Sequence, residues 1–183
     1  MKIAIGCDHG ALALKNKLVA HLAEIGYEVC DFGTHTAESC DYPVFAAAAA
    51  RAVASGECEK GIVLCTTGIG ISIAANKIKG IRCALLSDVK SAELTRLHND
   101  TNMMALGAGI TGEILALEIV DTWLGTEFSV EARHQRRSDQ LMALENDKAK
   151  RVCCKTHPFL FLQLIAHPSG AHPPHCANFS LSL

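Results

Sequence analysis

The sequence predicts an α/β protein: a three-layer α/β/α Rossmann-like domain on a five-stranded parallel sheet, followed by a C-terminal helix. Three observations lead there. Short β-branched runs alternate with longer segments of helical period, the pattern of βα units that feed a parallel sheet. Leu14, Leu18, Leu22 and Ile25 recur at spacings of four, four and three, an apolar stripe suited to packing on a sheet. Gly26, Pro43 and Gly56 stand where such helices stop and start.

Taken in order, the first strand is expected over 2–6 and the first helix over 11–25, ended by Gly26. A strand over 27–32 follows. Pro43 then opens a second helix, at a first-turn position where its missing N–H costs nothing, and Ala46 to Ala50 carry it to the Gly56 stop. Strands over 61–65, 82–86 and 102–106 alternate with helices over 70–78, 88–98 and 111–124. Residues 131–150 read as a last, polar helix that follows the sheet, with Leu141 and Leu144 on one side and Arg133, Arg136 and Arg137 near its start. In such sheets ligands sit outside the carboxyl ends of the strands, so the loops after strands one and three are the places to look.

Composition bounds the function. With 183 residues, 49% hydrophobic and 20% charged, and a net charge of -2, the chain reads as one soluble globular domain. Seventeen basic against 19 acidic residues form no stripe that would neutralise a duplex, which argues against nucleic acid and leaves a small anionic ligand open. Nine cysteines, scattered without a repeating spacing, read as reduced cytosolic thiols. Met1 to Gly6 is strand-like and turns polar at Asp8, and no apolar stretch approaches the roughly 18 residues of a membrane span. A cytoplasmic protein with no membrane partner is expected.

The chain is uneven. Four of the five prolines and four of the nine histidines follow residue 151, where Lys155 is the only charged side chain after Arg151. A boundary is therefore placed near 150, with 1–150 as the domain and 151–183 as an atypical tail, disordered or poorly ordered.

After the third strand comes Cys65-Thr66-Thr67-Gly68-Ile69-Gly70-Ile71-Ser72, a glycine-containing turn that runs into a helix. Its N–H groups can meet a phosphate or an oxyanion that develops during reaction, or the turn can be structural only. The G-x-G-x-x-G and Gly-Lys-Ser/Thr patterns are absent from both candidate loops, which argues against a nucleotide. Cys65 sits where the turn's N–H groups favour a thiolate, although a small buried hydrophobe is the plainer reading of a cysteine. Asp8 and His9 follow the first strand, and Asp8 can serve a ligand or cap the next helix. Arg133 and Arg137, four apart, share one helix face with Cβ atoms about 5–6 Å apart, as a phosphate clamp or a solvated basic face that Asp139 and Glu145 would partly offset. His98-Asn99-Asp100 closes the fourth helix at the amino edge of the sheet, opposite Cys65. If His98 acts with Cys65, a second subunit supplies it.

Together GCDHG at 6–10, DYP at 41–43, CTTGIGISIAANK at 65–77, HNDTN at 98–102 and RHQRR at 133–137 resemble the ribose-5-phosphate isomerase B family, in unbroken order from residue 1 to about 150. Galactose-6-phosphate and allose-6-phosphate isomerases share the pattern. The resemblance implies aldose–ketose isomerisation through a cis-enediolate, without metal or cofactor, in a homodimer or tetramer whose sites lie between subunits. It makes Cys65 the base between C1 and C2, sets Thr67 beside the transferring oxygens, and makes the N–H groups of Thr66, Thr67, Gly68, Ile69 and Gly70 the hole for the enediolate. His98 with Asp8 would open the furanose ring. His9, Arg133 and Arg137 would hold phosphate, and Tyr42 and Asn99 would contact the sugar.

Three departures stand out. Thr66 replaces the family's usual glycine, which would crowd the loop if φ there were positive. Gly109 stands where many members carry a further phosphate-binding arginine. The tail has no counterpart; its cysteines and histidines invite a zinc reading, but no C-x-x-C spacing and no H-x₃₋₅-H pair with partnered cysteines supports one. Ribose 5-phosphate is the expected substrate. A hexose 6-phosphate is the alternative within the same chemistry, and Thr66 and Gly109 leave room for a non-catalytic sugar-phosphate-binding subunit. A redox protein lacks its C-x-x-C motif.

Overall fold

The computed structural model describes residues 1–146; the tail, the zinc reading attached to it and the last residues of the helix expected to 150 lie outside them. Five strands form the sheet: β1 (Lys2–Cys7), β2 (Glu28–Asp31), β3 (Lys60–Cys65), β4 (Cys83–Leu85) and β5 (Met103–Gly107). All pairings are parallel, in the order β2-β1-β3-β5-β4. The chain reverses its winding direction between β1 and β3, so a crevice for ligand is expected at their carboxyl ends.

Alternation along the buried strands makes two unlike faces. Ile3, Ile5, Ile62, Leu64, Met104 and Leu106 point to one side, against α1 (Leu12–Glu24) and α5 (Glu113–Gly125), which bring Leu18, Leu22, Ile119 and Trp123. Ala4, Val63, Cys65, Met103 and Ala105 point to the other, against α2 (Tyr42–Ala54) and α3 (Ile69–Ala75). There the alanines of α2 let backbones approach closely: a Cβ on Gly6 would lie 2.9 Å from the Phe45 carbonyl oxygen. Lys15 belongs to the α1 side and is fully buried, held by Asp31 at 2.6 Å and the Thr34 carbonyl at 3.1 Å. Burial without such partners would be prohibitive for an ammonium group.

Two further helices, α4 (Val89–Asn99) and α6 (Ala132–Ala143), pack on each other near the amino edge of the sheet. The expected elements all form, with edges moved by one to a few residues. A 3-10 turn over His9–Ala11 precedes α1, because Asp8 accepts the Gly10 N–H at 3.0 Å and starts a tighter turn. α3 stops at Ala75, short of 78, since the Asn76 side chain bonds Ser72 O at 3.0 Å and both backbone groups of Cys83 at 2.8 Å. α6 gives way to a 3-10 turn over Leu144–Asn146.

Candidate active site

Cys65 ends β3 at the carboxyl edge of the sheet, 5% exposed, on the α3 side. Its sulfur accepts the Gly68 N–H at 3.1 Å, so negative charge on that atom has a donor in place. The turn closes this way because Gly68 has φ +75, a conformation open to glycine at little cost. Thr67 Oγ1 accepts the Ile69 N–H at 3.3 Å. The β5–α5 loop braces the turn from beneath: Ala108 N donates to Cys65 O at 2.9 Å and Gly109 N to Thr66 O at 2.8 Å. A Cβ on Gly107 would sit 2.6 Å from the Thr67 carbonyl, so that position excludes any side chain.

Thr66 does not carry the strain that its β-branched side chain suggested: among the described residues, the non-glycine positions with positive φ are Asp100 and Val130. Its side chain instead leans over the β1 loop, where Thr66 Oγ1 occupies the space a Cβ on Gly10 would need. On the opposite side Cγ2 lies 3.2 Å from the Cβ position of Gly109. Thr66 thus spans the loops after β1 and β5.

In the β1 loop, Asp8 is 6% exposed and caps the turn at His9–Ala11. Capping occurs, as one of its two readings required. His9 Nδ1 accepts the Cys40 N–H at 3.1 Å, which leaves Nε2 to carry the proton of the neutral ring. That bond ties the segment leading to Tyr42 against the β1 loop. Tyr42 in turn covers Gly70, where a Cβ would meet its ring at 2.6 Å. Asp8, His9, Tyr42, Cys65, Thr66, Thr67, Gly68, Ile69 and Gly70 therefore gather at the carboxyl ends of β1 and β3. Beside them Thr67, Ile69, Leu85 and Thr111 line a cavity of about 250 Å³.

His98 and Asn99 are not part of that gathering. They close α4 at the amino edge of the sheet; β3 and β5 run in register from Gly61↔Met103 to Cys65↔Gly107, about 13 Å along the strands. α6 packs there too. The His98 and His134 rings lie 4.4 Å apart, and His134, 4% exposed, has Nδ1 2.7 Å from Ser129 Oγ. Burial, then the neighbouring His98 and Arg133, hold the His134 pKa below the usual histidine value. Arg133 pairs with Glu131 at 2.8 Å. The direct ion pair of Arg133 is thus with Glu131 at the start of α6, while Asp139 accepts from Gln135 and Glu145 from the Gly80 N–H.

Sequence reasoning missed the side chains that hold this second cluster. Arg82, just before β4, and Arg96, in α4, both bind the Asp100 carboxylate, at 3.1 and 2.8 Å. Asp100 belongs to the HNDTN block, which was the available signal; nothing local marks Arg82. Among the described residues no three His, Cys, Asp or Glu side chains form a group that could hold a metal ion. No described helix is long and apolar enough to cross a membrane.

A family model described as "Ribose/Galactose Isomerase" matches residues 3–141. Ribose-5-phosphate isomerase B of Escherichia coli K12 is 51% identical over 144 residues, covering 79% of this chain and 96% of that protein. Galactose-6-phosphate isomerase subunit LacB of Clostridium acetobutylicum is 41% identical over 153 residues, 82% of this chain and 87% of that protein. Among solved structures, ribose-5-phosphate isomerase B of Clostridium thermocellum aligns with a TM-score of 0.78 at 52% identity, covering 80% of this chain and 98% of that one.

Proposed function

The chain belongs to the ribose/galactose isomerase family, and from that premise we propose that it is a sugar-phosphate isomerase interconverting ribose 5-phosphate and ribulose 5-phosphate. The observation that carries the reading is Cys65: a buried sulfur at the sheet's carboxyl edge that accepts a backbone N–H, beside the glycine-containing turn.

In this reading the Cys65 thiolate removes the proton from C2 of the open-chain aldose phosphate. The electron pair moves into an enediolate with negative charge on the C1 oxygen; the C2 hydroxyl proton then passes to that oxygen, beside Thr67, which shifts the charge to the C2 oxygen, and the Cys65 thiol returns its proton to C1 as the C2 carbonyl forms, leaving the ketose and the thiolate. Proton abstraction beside a carbonyl needs a base near neutrality and donors aimed at the developing oxyanion. Of the N–H groups of 66–70, that of Gly68 serves the sulfur and that of Ile69 meets Thr67 Oγ1, so the oxyanion donors within this turn are the N–H groups of Thr66, Thr67 and Gly70 with the Thr67 hydroxyl. Asp8 and His98 open the furanose ring, His9, Arg133 and Arg137 bind phosphate, and Tyr42 and Asn99 contact the sugar. The step uses no cofactor and no metal.

Cys65 and His98 lie at opposite edges of one sheet, which supports a homodimer in which each site takes His98, Asn99, Arg133 and Arg137 from the second copy. Exposed Val44, Ile69, Ile73 and Ile110 provide apolar surface for that association. Six described cysteines are free thiols, in keeping with a reducing, cytoplasmic setting. We take residues 1–150 as the isomerase domain and 151–183 as an addition to it.

The similarity to a galactose-6-phosphate isomerase subunit favours a second reading, a hexose 6-phosphate as substrate. Rates on ribose, allose and galactose phosphates test the choice. Preferred turnover of ribose 5-phosphate is expected; turnover of a hexose phosphate alone would replace it, and binding without isomerisation, unaffected by Cys65→Ala, would make the protein a non-catalytic binder.

A further inference from the structure

Asp100 ends α4 with φ 46, directly after the His98–Asn99 pair. Two guanidinium groups hold it, one at each carboxylate oxygen. Arg82 Nη2 reaches Oδ2 at 3.1 Å and Arg96 Nη1 reaches Oδ1 at 2.8 Å. The same arginines take the carbonyls of the turn: Arg82 Nε donates to Asn99 O at 3.2 Å and Asp100 O at 2.9 Å, and Arg96 Nη1 donates to Thr101 O at 2.6 Å. Those of Asn99 and Asp100 are carbonyls that a helix end leaves without intrahelical partners, and cations are favoured there. Arg96 is 7% exposed and also donates Nε to Thr126 O at 3.2 Å, so its place is fixed by the interior.

We propose that the Arg82–Asp100–Arg96 clamp positions His98 and Asn99 for the reaction. This rests on the roles of those two residues given above. The clamp residues act through the backbone of 99–101 and need no contact with substrate. Helix ends fray when nothing holds them, and a catalytic group misplaced by about 1 Å can lose about 100-fold in rate. Arg82 enters from the sheet side and Arg96 from within α4, so the clamp fastens the end of the helix to the strand layer. His134 bounds the His98 ring 4.4 Å away. An isolated exposed ion pair would add little to stability; here the carboxylate and three carbonyls are bound together, which fits a demand for placement.

The test is steady-state kinetics of the full chain on ribose 5-phosphate, with melting temperatures alongside. Asp100→Gly keeps the left-handed backbone and removes only the carboxylate. Its kcat is expected to fall at least about tenfold, with a smaller rise in KM, because Asn99 contacts the sugar while the phosphate ligands are untouched. Asp100→Asn, which retains an acceptor and tolerates positive φ, should recover part of the loss. A wild-type kcat in Asp100→Gly, or a loss carried by KM alone, overturns the proposal. If Asp100→Gly does not fold, Arg82→Lys reads the same kcat, since it keeps the charge but not the fork. His98→Asn separates the two levels: full activity there would sink the role of His98 and the clamp's purpose together, whereas an inactive His98→Asn beside a fully active Asp100→Gly would sink the clamp alone.

Discussion

Gly68 donates its backbone N–H to the Cys65 sulfur at 3.1 Å, across a turn that Gly68 closes at φ +75. Removing either partner should stop the chemistry for a different reason. Cys65→Ala takes away the proposed base and should lower kcat by about 10²–10⁴-fold, the usual contribution of a positioned base, with a stability change near 1 kcal/mol. Gly68→Ala keeps the sulfur but strains the turn, as its Cβ would lie 2.6 Å from Leu85 Cδ1 and 2.8 Å from the Leu106 carbonyl carbon. It should cost about 1–3 kcal/mol, read by thermal unfolding, and most of the activity.

Mixing inactive Cys65→Ala and His98→Asn chains under exchange conditions tests the shared site. Half of the dimers should be hybrids, and each hybrid holds one site with both residues intact, so about a quarter of wild-type activity should return. Complete absence of recovery in verified hybrids would mean that the two residues do not act across a subunit boundary.

Arg133→Ala and Arg137→Ala should raise KM for the sugar phosphate about tenfold or more each, with a smaller change in kcat, because a charge-assisted bond to phosphate is worth roughly 1.5–3 kcal/mol. Inorganic phosphate should protect the wild type from thermal unfolding more than either variant. Equal protection in all three would remove these arginines from the phosphate site.

Lys60 gives a prediction about pH. Burial and then the charge of Arg96 lower its pKa to about 8, while its ammonium lies 5.1 Å from the Trp123 ring centre. Because the folded value lies below the ordinary lysine value of 10.5, the unfolded chain binds more protons between these two values, and stability contributed by this group rises as pH increases through that window. Half-exposure tempers the size of the effect. Lys60→Met should therefore stabilise most at or below pH 8, with the advantage narrowing by pH 10, measured as the difference in melting temperature.

How far the sequence speaks is clearest at particular residues. The alternation of apolar runs with helical stripes marks five strands and their helices, since burial and backbone period leave a local trace. It carries no record of which strand lies beside which, so the place of β4 at the edge, beyond β5, had no signal. Cys65, Asp8 and His9 were legible as candidates because they end or follow strands of a parallel sheet, at whose carboxyl ends ligands are expected. His134 was hidden inside the basic run RHQRR, which reads as a wet surface; the structure buries it against His98 and Ser129. Lys15 was equally opaque: it is a cation within a helix whose partners, Asp31 and the Thr34 carbonyl, lie in a later segment, and local sequence offers no hint of them. Arg96 had a local partner in Asp100, four residues on, but nothing nearby pointed to its bond with Thr126 O.

The strands at the two margins of the sheet have a bearing on assembly. β2 spans four residues, begins with Glu28 and ends with Asp31, and β4 spans three. Brief, charge-flanked margins are poor templates for another chain's backbone. In the proposed dimer the two copies therefore join through side chains, not by continuing a ladder of main-chain bonds. Their affinity should respond to substitutions at Val44, Ile73 or Ile110 far more than to changes along either margin, and solubility at high concentration should survive the loss of the dimer.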